Sequence, residues 1–164
     1  LGLKDRQIML STQKMPSENL AELYNMVDCT INISDAEGFG LATLESLSCG
    51  TPIIATMTGG LQEQVTDGDS DFGVGLIPTS KAVIGSQQVP YIYEDRVNKS
   101  QFHSALNKIY KMGKAERRRV GTLGREHILK NYNFVELQNK WVETIDKVIE
   151  NKENYSGIRF KEVA

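Results

Sequence analysis

In the first third of the chain, short apolar runs alternate with segments whose apolar residues recur at helical spacing. Nearly continuous apolar runs predict strands, and a spacing of three or four residues predicts helices. Alternating strands and helices of these lengths predict an α/β fold, with a parallel sheet flanked by helices. Ser17 is the expected N-cap of the first helix, and Gly50 is the expected residue just after the second. The predicted strands cover residues 7–12, 29–34 and 51–56, and the predicted helices cover residues 18–27 and 40–49.

The pattern weakens after Gly60 and then becomes strongly helical. Short edge strands are predicted at residues 74–77 and 89–93, and the poorly patterned stretch between them is interpreted as part of an insertion over residues 78–93. Asn98 and Asn133 begin two predicted helices as N-caps, with a glycine-containing helix between them. The last helix carries an apolar stripe that predicts packing in the core or against another domain. This stripe consists of Phe134, Leu137, Trp141, Ile145 and Val148.

Composition and charge limit the classes of function. The 164 residues are enough for one domain with a core, and the net charge of −2 gives no electrostatic reason to expect a nucleic-acid partner. No stretch approaches the roughly 18 apolar residues of a membrane span, and we expect a cytoplasmic protein. Cys29 and Cys49 are expected to be two buried, unpaired thiols. Because the first residue is Leu1 and not Met, we expect the chain to be a piece of a longer protein.

A glycine-rich junction between the second predicted strand and the next helix carries most of the functional information. Residues 34–45 read Ser-Asp-Ala-Glu-Gly-Phe-Gly-Leu-Ala-Thr-Leu-Glu. Gly38 and Gly40 remove side-chain bulk at a helix start, where free backbone amides and the helix dipole suit a phosphate group. Glu37 and Glu45 have the wrong charge for phosphate but suit hydroxyl groups. The junction therefore predicts a ligand that carries both phosphate and hydroxyls.

Helical projection places Glu45 on the face of its helix that is expected to be buried. A carboxylate there is costly unless it is paired. It either satisfies backbone amides and the helix dipole or binds ligand hydroxyls, and we favour the second interpretation. Gly59 and Gly60 follow the next strand, with Glu63 just beyond. Since adjacent parallel strands end at the same edge of a sheet, both glycine loops are expected to meet there.

These residues resemble the donor-binding region of retaining glycosyltransferases of the GT-B fold, family 4. The hallmark of that region is two glutamates separated by seven residues, and Glu37 and Glu45 match it without a gap. The resemblance is specific over residues 7–68 and looser across the C-terminal helices. It implies a Rossmann-like donor-binding domain over residues 1–154, truncated at its N-terminal side, followed by a tail over residues 155–164.

The resemblance implies a role for each matched residue. Glu37 would be the catalytic residue, contacting hydroxyls of the donor sugar near the reacting carbon, and Glu45 would hold the ribose hydroxyls. The donor substrate would be a nucleoside-diphosphate sugar, with no cofactor and no metal. Three groups complete the implied site: Gly38, Phe39, Gly40 and Leu41 at the sugar and diphosphate, Gly59 and Gly60 beside the sugar, and Gln13, Lys14 and Met15 near the base.

The departures from the family pattern concern the rest of the active site. The Arg and Lys that bind the diphosphate come from an earlier part of the family's domain, and no residue here matches them, since Lys14 lies at the wrong place. The N-terminal acceptor domain, an expected partner, is also absent, so the chain alone is expected to be inactive. The whole enzyme is expected to transfer a hexose to a glycan, a lipid or another acceptor, as in polysaccharide biosynthesis. A non-catalytic nucleotide-binding or interaction module and a relative of nucleotide-sugar epimerases are the alternatives.

The sequence contains two further features, a basic cluster and two histidines. A basic cluster is either a solvated helix face or a surface for anionic lipid or acceptor, which would give weak contact with the inner face of a membrane. Its residues are Lys111, Lys114, Arg117, Arg118, Arg119 and Arg125. His103 and His127 have no partners at metal-binding or catalytic spacing, and we expect solvated or packing roles for both.

Overall fold

The computed structural model of the chain describes Lys4 and residues 7–152. The predicted tail over residues 155–164 lies outside the described residues. The elements follow one another in the order α1 (Ser17–Met26), β1 (Thr30–Asn32), α2 (Leu41–Ser48), β2 (Ile53–Thr56), α3 (Leu61–Val65), β3 (Gly73–Leu76), β4 (Ser80–Ile84), β5 (Ile92–Arg96), α4 (Lys99–Lys111), α5 (Lys114–Asn131) and α6 (Phe134–Glu150).

A parallel sheet in the order β1-β2-β3 forms the centre of the fold, which confirms the predicted α/β class. Ile54 in β2 lies opposite Ile31 of β1 and Val74 of β3. Strands β4 and β5 form a separate antiparallel hairpin, in which Ser80 pairs with Arg96. The described residues therefore contain one parallel sheet and one projecting hairpin.

Helices cover both faces of the sheet, and this explains the unbroken apolar run of β2. Ile53 and Ala55 point to one face, where they pack with residues of α2, α3 and α5, including Leu47 and Ile128. Ile54 points to the other face and packs against α4. Because successive side chains of a strand alternate between faces, a strand covered on both sides has no side chain that faces solvent.

Two glycines allow α5 to approach the end of α2 closely. A Cβ atom on Gly121 would lie 1.9 Å from the carbonyl oxygen of Gly50, and one on Gly124 would lie 2.8 Å from Leu47 Cδ2. Gly50 itself has a φ of +76°, as expected of a residue that ends a helix. Glycine costs helix propensity at these positions in α5, but it is required for the packing.

The N-terminal prediction was wrong in two respects. Residues 7–12 form no strand, and Ile8 and Leu10 are largely exposed, because none of the strands in the described part of the chain lies beside them to complete a hydrogen-bonded ladder. The nearly continuous apolar run of residues 29–34 predicts a buried parallel strand, and β1 is parallel but not buried. Among the described residues it pairs with β2 alone, so it is an edge strand, and Ile31 and Ile33 are 48% and 51% exposed.

The segment after Gly60 contains elements that the pattern did not predict. Strand β4 lies within the stretch interpreted as unpatterned, and the strand predicted at residues 89–93 is shifted to β5. The hairpin has no covered face, so its residues lack the apolar and polar alternation that marks a half-buried strand. Helix α3 has five residues, too few to show a helical period.

The apolar stripe of α6 does not join the core. Trp141 is 61% exposed and Leu137 is 53% exposed, and α6 contains no buried residue. The core interpretation of this stripe was therefore wrong, and packing against another domain stays a prediction. Among the residues that the structure describes, no helix is long and apolar enough to cross a membrane.

The helix caps match the prediction in two of three cases. The Asn98 side chain accepts a hydrogen bond from the Gln101 amide, and Asn133 accepts from the amides of Val135 and Glu136. The first helix is capped by Pro16 and not by Ser17, which is already its first helical residue.

The two cysteines, Cys29 and Cys49, are unpaired, as predicted, but each is half-buried and not fully buried. Burial raises the pKa of the Cys29 thiol to about 11. Both groups are therefore protonated thiols near neutral pH, and neither is activated as a nucleophile.

Candidate functional site

The two glycine loops meet at the carboxyl ends of β1 and β2. The amide of Gly60 donates to the carbonyl oxygen of Gly38 at 3.0 Å. A Cβ atom on Gly59 would lie 1.6 Å from the carbonyl oxygen of Glu37, and one on Gly60 would lie 2.6 Å from that of Phe39. The two backbones are in direct contact, and only glycine fits on the second loop.

The start of α2 is an open helix end beside these loops. Gly40, its N-cap, is left-handed with a φ of +89°, and no side chain caps the helix. The first intrahelical bond runs from the Leu44 amide to the Gly40 carbonyl, which leaves the preceding amides without an acceptor in the helix. Leu41 is 65% exposed. This end of the helix therefore presents free amides and the positive end of the helix dipole at the surface.

Gln64 of α3 holds the turn at Phe39 from the core side. The sequence pattern did not predict this role. Its side chain is fully buried, and Nε2 donates to the carbonyl oxygen of Phe39 at 2.6 Å. Its Oε1 atom has no partner among the described residues. The full burial of this side-chain amide marks the residue, because such a group needs a hydrogen bond.

Glu37 is half-buried and held by a short polar chain. The Ser34 hydroxyl lies 3.3 Å from Glu37 Oε2 and 2.7 Å from Asn32 Oδ1. Asn32, the last residue of β1, in turn donates to the Thr43 hydroxyl of α2 at 3.2 Å. The carboxylate thus has a defined position between the end of the strand and the start of the helix.

Glu45 does not face the core, so the prediction from helical projection was wrong. Its side chain is exposed, whereas α2 buries Thr43, Ser46 and Leu47. The Tyr24 hydroxyl of α1 donates to Glu45 Oε2 at 3.1 Å. Partial burial and then the hydrogen bond to this carboxylate raise the pKa of Tyr24 to about 12. Glu45 is therefore an accessible acceptor whose orientation is set by one phenol.

A shallow groove of about 200 Å³ lies between α1 and α2 and includes Glu45. Its lining also contains Ser17, Leu20, Tyr24, Leu44 and Ser48. The predicted base-side loop leads directly into α1 at this groove, with Gln13 and Lys14 exposed and Met15 half-buried. The structure therefore places this loop on the Glu45 side of α2.

The basic cluster lies at the other edge of the sheet, where β1 and β2 begin. Arg117 pairs with Asp28 at 2.9 Å, and Arg125 donates to the carbonyl oxygen of Ser48 at the end of α2. With Lys114 and Arg118, these two arginines line a groove of about 560 Å³. Its interpretation as a membrane-contact surface stays a prediction.

The two histidines lie outside this arrangement. The ring of His127 lies 4.5 Å from that of Phe72, and its Nε2 atom is 2.9 Å from the carbonyl oxygen of Glu63. His103 is exposed on α4. In the part of the chain that the structure describes, no three His, Cys, Asp or Glu side chains lie together as a possible metal site.

A family comparison agrees with this geometry. Residues 1–127 match the family described as Glycosyl transferases group 1. The chain belongs to the group 1 glycosyl transferases. This is the family that the two glutamates and the two glycine loops resemble.

Individual relatives within the group 1 glycosyl transferases match only a part of their own length. N-acetyl-alpha-D-glucosaminyl L-malate synthase of Bacillus anthracis is 28% identical over 117 residues, which are 71% of this chain and 29% of that protein. D-inositol 3-phosphate glycosyltransferase of Acidothermus cellulolyticus is 44% identical over 70 residues, which are 43% of this chain and 15% of that protein. The chain therefore spans less than a third of these relatives.

A solved structure shows the same fold. The sucrose-phosphate synthase of Thermosynechococcus elongatus superposes with a TM-score of 0.64 and 24% sequence identity, over 81% of this chain and 28% of that one. The described part of this group 1 glycosyl transferase thus has the α/β architecture of a GT-B domain, as expected.

Proposed function

We propose that this chain is the donor-binding part of a retaining glycosyltransferase that uses a nucleoside-diphosphate sugar. The observation that carries the proposal is the backbone contact between the two glycine loops, beside the open start of α2. Glu37 lies at one side of this helix start and Glu45 on the exposed side of the helix itself. The arrangement offers acceptors for hydroxyls on both sides of a site for an anion.

In the proposed complex the diphosphate lies at the first turn of α2. Its charge increases as the bond to the sugar breaks, and fixed amides with a helix dipole stabilise such developing charge. The cation that contacts the turn at Asp35, Arg96, is paired with that residue and with Glu94. We therefore propose that the diphosphate-binding cations come from the remainder of a longer protein.

Glu37 and Glu45 have different proposed tasks. Glu37, oriented by Ser34, contacts hydroxyls of the donor sugar, and Glu45, oriented by Tyr24, accepts from the ribose hydroxyls. The acceptor attacks from the face that the nucleoside diphosphate leaves, so the configuration at the sugar carbon is retained. The acceptor itself is bound by the remainder of the protein.

Isothermal titration calorimetry tests this proposal. The chain is titrated with uridine, guanosine and adenosine diphosphates and with their glucose conjugates, at low salt. We expect weak binding to one base class, reduced about tenfold in Glu45→Gln, which corresponds to the loss of one charged hydrogen bond of about 1.4 kcal/mol. Absence of binding by every nucleotide to the folded chain would refute the donor-binding role. Unchanged affinity in Glu45→Gln would refute only the ribose assignment.

A further inference from the structure

The base of the β4–β5 hairpin is fastened to the turn that carries Glu37. The amide of Asp95 donates to the carbonyl oxygen of Asp35 at 2.7 Å. The Arg96 Nη1 atom lies 2.9 Å from Asp35 Oδ2. Asp35 precedes Glu37 by two residues, so these two contacts join the hairpin to the turn next to the proposed sugar-binding carboxylate.

Arg96 holds two carboxylates at once. Besides Asp35, its Nη2 atom contacts Glu94 Oε2 at 2.7 Å, and Nη1 also donates to the carbonyl oxygen of Asp95 at 3.1 Å. Glu94 and Arg96 lie two positions apart in β5 and therefore share one face of the hairpin. Without the guanidinium, Asp35 and Glu94 would face each other as two uncompensated negative charges. Loss of Arg96 is therefore expected to push the turn away from the hairpin.

The hairpin side of this contact is anchored in the core. The residue after Arg96, Val97, packs with Phe102 against the core cluster of Ile54 and Leu76. The carbonyl oxygen of Arg96 also accepts from the Thr79 amide at 2.8 Å, which closes the base of the hairpin. The backbone of Arg96 is thus fixed on both strands, and its side chain reaches out to the more exposed turn.

We propose that Arg96 is a positioning residue, which holds Asp35 and thereby sets the orientation of Glu37 toward the donor sugar. The role in sugar binding rests on the proposed function, but the mechanical coupling between hairpin and turn does not. The hairpin therefore supports the site from outside it. Substitutions at the base of the hairpin alter recognition of the sugar, although the substituted residues do not contact the ligand.

Amide hydrogen exchange of the 164-residue chain, followed by NMR, tests the coupling. In Arg96→Gln we expect exchange of the Asp95 and Gly60 amides, which donate to the carbonyl oxygens of Asp35 and Gly38, to accelerate severalfold, because loss of the guanidinium favours local opening of the turn. Arg96→Lys restores much of the protection because it keeps the charge. The matched control is Lys81→Gln, which removes the other ion pair of the hairpin, Lys81–Asp95 at 3.9 Å, and is expected to leave the turn unchanged.

Binding measurements test the positioning role. Arg96→Gln is expected to weaken binding of the diphosphate-sugar about tenfold relative to the same nucleoside diphosphate without sugar, because only the sugar contacts Glu37. A variant that merely loosened the fold would weaken both ligands equally. Asp35→Asn provides a second test if Arg96→Gln does not fold, and it is expected to act in the same direction with a smaller effect.

The outcomes separate this inference from the proposed function. Unchanged exchange of the Asp95 and Gly60 amides in both Arg96→Gln and Asp35→Asn overturns the coupling. Accelerated exchange with equal loss of affinity for both ligands overturns the positioning role. A wild-type chain that binds no nucleotide overturns the proposed function, and the exchange data still decide whether the hairpin holds the turn.

Discussion

Substitution of Gly59 by alanine should separate the two glycine loops on which the candidate site is built. Gly59 has a φ of +51°, and its added Cβ would lie 1.6 Å from the carbonyl oxygen of Glu37. Gly68 offers a matched control, because it also has a positive φ, +93°, but a Cβ there would meet nothing within 4 Å. Both alanines carry a left-handed backbone, and only the one at position 59 meets another loop.

The expected loss of stability in each variant follows from these distances. A left-handed alanine costs roughly 1–2 kcal/mol at either position. At Gly59 the Cβ must also move from 1.6 Å to the 3.4 Å of ordinary contact, so the loops must separate by about 1.8 Å. Overpacking of this kind costs roughly 1–3 kcal/mol, and loss of the bond from Gly60 to Gly38 costs about 1 kcal/mol more. We expect Gly59→Ala to destabilise the chain by roughly 3–6 kcal/mol and Gly68→Ala by roughly 1–2 kcal/mol.

Urea unfolding followed by far-UV circular dichroism measures both free energies. If the wild-type chain is only marginally stable, Gly59→Ala will be partly unfolded without denaturant, and the melting temperature, which falls by roughly 2–4 °C per kcal/mol, is then compared instead. Equal destabilisation by the two alanines would show that the loops do not touch, and the geometry of the candidate site would then be wrong.

Three further predictions concern the surroundings of the site. Tyr24→Phe should cost about 1 kcal/mol at neutral pH through the lost hydrogen bond to Glu45. The pKa of Tyr24 is raised from 10.0 to about 12 in the folded chain. The stability that the neutral phenol contributes is therefore complete below pH 10 and is lost as the pH rises toward 12. The unfolding free energy of Tyr24→Phe should lack this part of the pH dependence. Alkylation of Cys29 by iodoacetamide, followed by mass spectrometry, should show a midpoint near pH 11, and a midpoint near its ordinary value of 9.0 would contradict the burial of this thiol. Gly121→Ala should lower the unfolding free energy of the chain in urea by roughly 1–3 kcal/mol, because the added Cβ would lie 1.9 Å from the Gly50 carbonyl oxygen. This loss is expected despite the better helix propensity of alanine. A stabilised variant would refute the close packing of α5 on α2.

The features that could be predicted from the sequence are those with a local cause. The apolar run within residues 51–56 predicts a strand, and β2 is confirmed there, with Ile53 and Ile54 in different core clusters. The two glycine loops each follow a strand of the same parallel sheet, so their meeting at one edge follows from topology. The N-caps at Asn98 and Asn133 depend on neighbouring residues alone.

The orientation of α2 was predicted wrongly because two small polar residues, Thr43 and Ser46, face the core together with Leu47. Ser46 is fully buried, and its hydroxyl lies 2.6 Å from that of Thr30 and 3.1 Å from the carbonyl oxygen of Thr51. These bonds satisfy the hydroxyl group, so burial carries little penalty. Leu41 meanwhile remains 65% exposed. A projection that counts only hydrophobic residues therefore rotates this helix to the wrong side.

The contact between the hairpin and the turn had no signal in the sequence pattern. Asp35 and Arg96 are far apart in the chain, and each has other possible partners nearby. Their meeting depends on where β5 re-enters the core at Val97, which no local pattern specifies. Long-range ion pairs of this kind are fixed by the tertiary structure, and residue type alone identifies neither partner.

The exposed position of Glu45 makes its role easier to test than a buried position would have. A core carboxylate would have linked any loss of binding to loss of the fold, because a buried charge without its partner is costly. In the structure Glu45 contributes one hydrogen bond to Tyr24 and no core packing, so Glu45→Gln, which keeps an acceptor oxygen, should change the unfolding free energy by less than about 1 kcal/mol. A reduced nucleotide affinity in this variant, with the stability unchanged, would then report on a lost ligand contact. A large loss of stability would instead show that Glu45 supports the fold, and the ribose assignment would lose its structural basis.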